Sequence, residues 1–243
     1  MSDDPYVYPG TTILRNKLGI RDAGHFEAFE RHVVPQRMAE GLPTGDFDLP
    51  HLRAIHGHLF QDAYDWAGEV RTVELNKGGH QFMFRRYIQT GMADVYQRIV
   101  KADYFKDTTP ATFAERAATI IGDVNYIHPF REGNGRTQLL YLEQLSRAAG
   151  HHLDSRLLDR DAWIEASRRA HQADYVLMSA AIGLALERSA AALRAPGNEA
   201  RPLSAAEQAL RSAAGSPPRD AADHPAGRRP GHPKGRGGGR DGR

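Results

Sequence analysis

Residues 128 to 136 read His-Pro-Phe-Arg-Glu-Gly-Asn-Gly-Arg, which puts an imidazole, a carboxylate, an amide between two glycines and a guanidinium within nine positions. His128 belongs to the residue type that titrates near neutrality, so it can accept a hydroxyl proton, a role worth about 10²- to 10⁴-fold in rate. Gly133, Asn134 and Gly135 fall where a helix should begin. First-turn amides have no acceptor within their helix, and glycine lets an oxygen come close to the backbone, which makes an anion site fit for a diphosphate. Arg136 sets a cation against the positive end of the helix dipole, an arrangement that a bound anion would offset. Glu132 is a hard carboxylate of the kind that ligates Mg²⁺ bridging phosphate oxygens. Each residue also has a plainer reading. The histidine can cap a helix, Gly-Asn-Gly can be a turn, and Glu132 with Arg136 can be an i,i+4 ion pair worth a few tenths of a kcal/mol. Pro129 and Phe130 shape the loop under either reading. The concentration of these groups in nine residues favours phosphate-handling chemistry.

The elements around the loop read as helices. From Thr112, Phe113, Ala117, Ile120, Val124 and Ile127 are spaced four, three, four and three, a helix that faces a core and ends at His128. Leu139, Leu142, Leu145 and Ala149 continue a second helix beyond the loop, with Gly150 as its stop. Asp48 is an N-cap with Pro50 in the first turn, followed by the apolar stripe Leu52, Ile55, Leu59 and Phe60. Asp161 to about Leu186 reads as a helix pair or one long helix. Val70–Leu75 and Gln81–Phe84 alternate at period two around Asn76-Lys-Gly-Gly79, a hairpin signal. A lone hairpin is only marginally stable, so it is either a connecting turn or an exposed edge that takes a partner's extended segment. The fold class expected is all-α, a helical bundle with a small β-hairpin.

Composition sets the outer bounds. The 243 residues hold no cysteine, which excludes disulfides and thiolate metal sites and fits a cytoplasmic protein. The opening MSDDPYVYPG has no apolar core and is not read as a signal peptide. No stretch is expected to approach the roughly 18 apolar residues of a membrane span. Residues 215–243 carry seven Arg or Lys against three Asp, which leaves 25 against 27 for the rest of the chain. The body therefore offers no basic field, which argues against nucleic acid as its partner. With 13 Gly or Pro in 29 residues that tail is expected to be disordered, a loose tether for acidic surfaces being the alternative. The organisation expected is a catalytic domain over 5–195, a short helical segment over 196–214 and the basic tail.

HPFREGNGR resembles the signature of Fic-domain proteins. Leu59-Phe-Gln-Asp-Ala-Tyr-Asp-Trp66-Ala-Gly68-Glu-Val-Arg71 is similar to that family's approach to its flap hairpin. Tyr8-Pro-Gly-Thr with Leu14-Arg-Asn-Lys17 resembles its toxin and effector members. The resemblance covers roughly residues 5 to 190. It implies a Fic-like helical bundle with a β-hairpin flap, and transfer of AMP from ATP to a Ser, Thr or Tyr hydroxyl of a target protein. By position, His128 would be the base, Glu132 would hold Mg²⁺, and Gly133, Asn134 and Gly135 would cradle phosphates. Arg136 would bind a phosphate, and Val73, Leu75, Phe82 and Phe84 would form the target-docking flap. Tyr175, beside Asp174, resembles positions near the nucleotide base and reads equally well as packing.

Leu139 stands where the family usually has a second arginine, three residues after Arg136. An isobutyl group cannot contact a terminal phosphate, so another cation such as Arg131 or Arg147 would substitute, a different nucleotide would be used, or the site is a catalytically impaired nucleotide- or partner-binding module. The family's inhibitory motif, Ser or Thr, three residues, Glu, then Gly or Asn, has no match here. That resembles members restrained by a separate small antitoxin, whose targets include type II topoisomerase subunits, and some of which are delivered to another cell. His51, His56 and His58 share one predicted helix, yet no carboxylate or cysteine completes a metal set.

Overall fold

The computed structural model describes residues 4–195, which form seven α-helices and one two-stranded hairpin. The expected segments 196–214 and 215–243 lie outside the described residues. The helices are α1 (Ala23–Ala39), α2 (Leu49–Phe60), α3 (Ile88–Lys101), α4 (Pro110–Ile127), α5 (Asn134–Ala148), α6 (Arg160–Ala170) and α7 (Val176–Arg194). The all-α expectation holds.

Helix α4 is the axis of the bundle. Thr109 starts it by accepting from the Thr112 amide at 3.2 Å, with Pro110 in the first turn, where a missing N–H costs nothing. Phe113, Ala117, Ile120, Val124 and Ile127 are buried as their spacing predicts, and Ala114, Ala118, Ile121 and Gly122 are buried beside them. The burial is wider than one stripe because α3, α5, α6 and α7 all pack against this helix. Helix α2 starts at Asp48, whose Oδ1 accepts from the His51 amide at 2.9 Å, and buries Leu52, Ile55, Leu59 and Phe60. On α5 the structure adjusts the expected face. Leu140 and Tyr141 are buried with Leu142 and Leu145, while Leu139 is half-buried. The expected pair over 161–186 is α6 and α7, parted at residues 171–175.

Two expectations are corrected. Helix α7 is long and apolar enough to cross a membrane, with a mean hydropathy of 1.5 over its apolar window, so one stretch does reach that length. Val176, Ile182 and four leucines carry most of that apolarity and six alanines the rest, and Met178, Ile182, Ala185 and Leu186 turn inward against α4 and α6. The hairpin is much shorter than the alternation suggests: β1 (Asn76–Lys77) pairs with β2 (His80–Gln81) in the register Asn76 to Gln81 and Lys77 to His80. Phe82 N–H still donates to the Leu75 carbonyl at 3.1 Å. Farther out, the arms spend their carbonyls on a side chain instead of on each other, as described below.

Because the α2 cap is local and exposed on one side, its loss has a bounded effect. Asp48→Ala should lower unfolding free energy by about 1 kcal/mol, read as a lower urea midpoint at constant slope. An unchanged midpoint would contradict the capping role.

Candidate active site

His128 ends α4. Its amide donates to the Val124 carbonyl at 3.0 Å and its backbone is left-handed, with φ 47° and ψ 63°, a conformation that costs a non-glycine residue on the order of 1 kcal/mol. What holds it there is Arg71. This buried guanidinium has five N–H groups and five acceptors. Nε donates to the His128 carbonyl at 2.8 Å; Nη1 donates to the Val73 carbonyl at 2.6 Å and reaches Glu74 at 3.5 Å. Nη2 donates to the Met83 carbonyl at 2.6 Å and to the Ile127 carbonyl at 3.4 Å. Backbone bonds from Arg71 to Pro129 and from Met83 to Tyr126 complete the seam between flap and α4. The arms therefore hang on α4 rather than on each other.

The His128 ring is oriented by two contacts. Nδ1 lies 3.2 Å from the Asn125 carbonyl, which can only accept, so Nδ1 carries the hydrogen and Nε2 keeps the lone pair. Phe82 stacks on the ring face at 3.7 Å and 13°. Burial, and then the Arg71 charge, push this imidazole down to about 3, so it is neutral at ordinary pH.

The loop is closed from within. Asn134 is buried, accepts from the Phe130 amide at 3.0 Å and donates to the Phe130 carbonyl at 2.8 Å, so its side chain is a clasp. Its backbone amide stays available for an anion. Gly133 has φ 81°, and a Cβ there would collide with the Phe60 ring, so glycine is required on both counts. His56 stacks on Phe130 at 3.9 Å; its Nδ1 accepts from the Gly68 amide at 2.8 Å and its Nε2–H donates to the Glu132 carbonyl at 2.9 Å. Burial pushes it down to about 4. Arg131 Nε meets Asp4 at 3.0 Å, both buried, and Tyr6 Oη accepts from the Thr72 amide at 3.0 Å, so the N-terminal segment straps the loop.

Arg136 faces two carboxylates, Glu132 at 3.4 Å and Glu30 of α1 at 3.7 Å, with its guanidinium over Phe60 at 4.5 Å. These acids balance the charge that the sequence reading assigned to a bound anion. Glu30 in turn accepts from Tyr64 Oη at 2.6 Å. Neither suggested replacement for the missing arginine is placed for it. Arg131 is committed to Asp4, and Arg147 is exposed in the last turn of α5, about 20 Å from the helix start at 1.5 Å per residue. No group of three His, Asp or Glu that could hold a metal occurs among the described residues. Glu132 alone suits Mg²⁺ that keeps phosphate and water ligands, and does not suit a permanent protein cage.

The remaining candidates are spread out. Tyr175 Oη donates to Asp123 at 2.6 Å and its ring fills the space over Gly122 of α4, so the structure displays its packing role. Of the four flap candidates, Leu75 and Phe82 are buried, Val73 is half-buried and Phe84 alone is exposed to a docking protein. His51 binds the Phe47 amide and His58 the Arg37 carbonyl, which disposes of a metal trio on α2. Sequence reasoning missed Arg71, His56 and Glu30. A signal existed for Glu30, a carboxylate in step with Phe26 and Val34 on the buried face of α1.

Comparison with known proteins bears on the family and the fold. The model of the Fic/DOC family matches residues 46–146. A probable protein adenylyltransferase of Sinorhizobium fredii is 39% identical over 181 residues, covering 74% of this chain and 94% of that one. The probable protein adenylyltransferase Fic of Escherichia coli is 35% identical over 173 residues, covering 70% of this chain and 86% of that one. Among solved structures, the BepC effector of Bartonella tribocorum with bound AMPPNP superposes with a TM-score of 0.69 at 26% identity, over 74% of this chain and 95% of that one.

The two depressed imidazoles set a pH dependence. The unfolded chain takes up protons from about pH 6.5 downward, while the folded chain resists until about 4 for His56 and about 3 for His128. Their contribution to stability is whole above about pH 6.5 and is lost as the pH falls toward the folded values. Thermal melts should show a falling Tm between about pH 7 and about pH 5; a flat Tm over that window would contradict neutral burial.

Proposed function

The chain belongs to the Fic/DOC family, and on that premise we propose that it transfers AMP from ATP to a Ser, Thr or Tyr hydroxyl of another protein. The observation that carries this reading is the unprotonated Nε2 of a neutral His128, in one loop with the start of α5. Nε2 takes the hydroxyl proton while the hydroxyl oxygen bonds to the α-phosphorus. The bond from that phosphorus to the oxygen bridging it to the β-phosphate breaks, and diphosphate leaves with that oxygen. Amides of Gly133, Asn134 and Gly135 and the Arg136 guanidinium take the phosphate charge. Catalysis of this type is positioning plus electrostatic stabilisation, which a loop clasped by Asn134 and His56 supplies.

Glu132 would hold Mg²⁺, which neutralises polyphosphate charge when bound. The polyphosphate competes with Glu132 and Glu30 for Arg136, so nucleotide binding loosens those ion pairs. Backbone edges of the flap align the target segment by strand pairing, with Phe84 as the exposed side chain. Restraint by a separate small antitoxin, and a type II topoisomerase subunit as cytoplasmic target, extend this reading. The absence of the inhibitory Ser/Thr-x-x-x-Glu-Gly/Asn motif from the 243 residues supports the first.

Leu139 favours one alternative, a nucleotide-binding module with impaired transfer. Two experiments separate them. With α-labelled ATP, Mg²⁺ and lysate, the wild type should label protein and His128→Ala should lower that labelling about 10²-fold or more; equal labelling would overturn the base assignment. The acid limb of kcat/KM should lie well below about pH 6.5, since burial holds the free-enzyme imidazole low. Leu139→Arg should lower the KM for ATP, read by initial rates. An unchanged KM and kcat would mean that the leucine is no deficit.

A further inference from the structure

A groove of about 450 Å³ opens at the root of the flap. Val70, before the hairpin, and Arg85 and Arg86, after it, both line this groove, so it is continuous with the edge that would align a target. Leu49 and Val70, both half-buried, supply the apolar surface of its floor, and Ile88 and Met92, also in its lining, are fully buried. Arg53, Arg85 and Arg86 supply its charge.

The state of these charges is informative. The Asp48 carboxylate, also in the lining, caps α2 through Oδ1 and leaves one negative charge there against three arginines. Glu74 accepts from the Arg85 amide at 2.9 Å and lies 3.8 Å from its Nε, while also facing Arg71. Arg53 donates through Nε to the Gly68 carbonyl at 2.7 Å, and Arg86 lies over the rings of Phe84 at 5.5 Å and Tyr87 at 4.8 Å. Among the described residues no carboxylate pairs with Arg53 or Arg86. Phe84 and Tyr87 are 49% and 48% exposed, so one face of each ring is available beside a cation. The body outside the basic tail has two more acids than bases, so a cluster of three arginines is a local feature against the overall charge.

We propose that this groove is a second docking subsite for the protein substrate, one that takes an acidic side chain against Arg85 and Arg86 and a neighbouring apolar side chain against the floor. The inference rests on the transferase reading above and adds a recognition element to it. A segment lying along the flap runs off its C-terminal arm directly into the groove, so its residues beyond the paired strand would meet this surface. Cation and apolar floor together suit an acidic-apolar peptide. A nucleic acid would find too little basic surface beyond the groove. Charge complementarity of this kind governs partner choice and association rate and weakens with salt.

The test uses the full chain, α-labelled ATP and lysate. Arg85→Glu/Arg86→Glu should label the main target band about tenfold less than wild type, with ATP affinity, measured by titration of a fluorescent ATP analogue, unchanged. Arg85→Lys/Arg86→Lys should restore most of the labelling, and the wild type should lose more than the double Glu variant as salt rises. Equal labelling by the double Glu variant would overturn the proposal. Loss of ATP affinity in that variant would also overturn it, since the arginines would then serve the nucleotide. Suppression of wild-type labelling by added RNA in proportion to RNA binding would overturn it in favour of a polyanion site. A wild type that binds the analogue but labels nothing would sink the transferase reading itself, and this inference with it.

Discussion

A buried guanidinium must give away every N–H it has, and Arg71 gives all of its own to groups that have to be held together. The carbonyls of Ile127 and His128 lie at the end of α4; those of Val73 and Met83 lie on the two arms of the flap. Leaving any of these buried groups unpaired would cost about 1–3 kcal/mol each. The arrangement thus fixes at once where α4 stops, how His128 adopts a left-handed backbone and how far the flap stands from the imidazole. The short β-pairing goes with it, because the Val73 and Met83 carbonyls turn to Arg71 and the Met83 amide donates to Tyr126 of α4. Burial lowers the affinity of Arg71 for its own proton, and nearby Glu74 opposes that effect.

The loop that follows is rigid for related reasons. Asn134 clasps Phe130, His56 bridges Gly68 and Glu132, and Asp4 takes Arg131. These ties hold the loop by its side chains and carbonyls, and the first amides of α5 have no acceptor within their own helix. Two neutral histidines serve opposite ends. Burial keeps both neutral, but His56 has both nitrogens committed inside the protein, while His128 has one uncommitted. Preorganisation of this kind is what phosphoryl chemistry needs, since little covalent work falls to the protein.

Much of this was legible in the sequence, for identifiable reasons. Helices α2 and α4 were readable from Asp48, from Thr112 onward and from four–three spacing, because caps and stripes are local. The nine-residue loop was readable because its chemistry is contiguous. Arg71 was not, since its meaning depends on a partner 57 residues away, and the same holds for His56, 76 residues from Glu132. Leu75 and Phe82 read as displayed flap residues because alternation gives two faces without saying which is covered. The His128 ring and α4 decide that. No stretch of the chain was expected to reach a membrane span because Glu187 and Arg188 interrupt the apolar residues of α7, yet the mean over its window stays high.

The central claim is spatial: one nucleotide lies between the α5 amides and the imidazole. A crystal structure with a non-hydrolysable ATP analogue tests it most directly. Phosphate oxygens should lie on the amides of Gly133 to Gly135, with Arg136 turned from Glu30 toward them and the α-phosphorus on the Nε2 side of His128. Polyphosphate bound away from this loop, or an unmoved Arg136 with the imidazole facing the base, would contradict it.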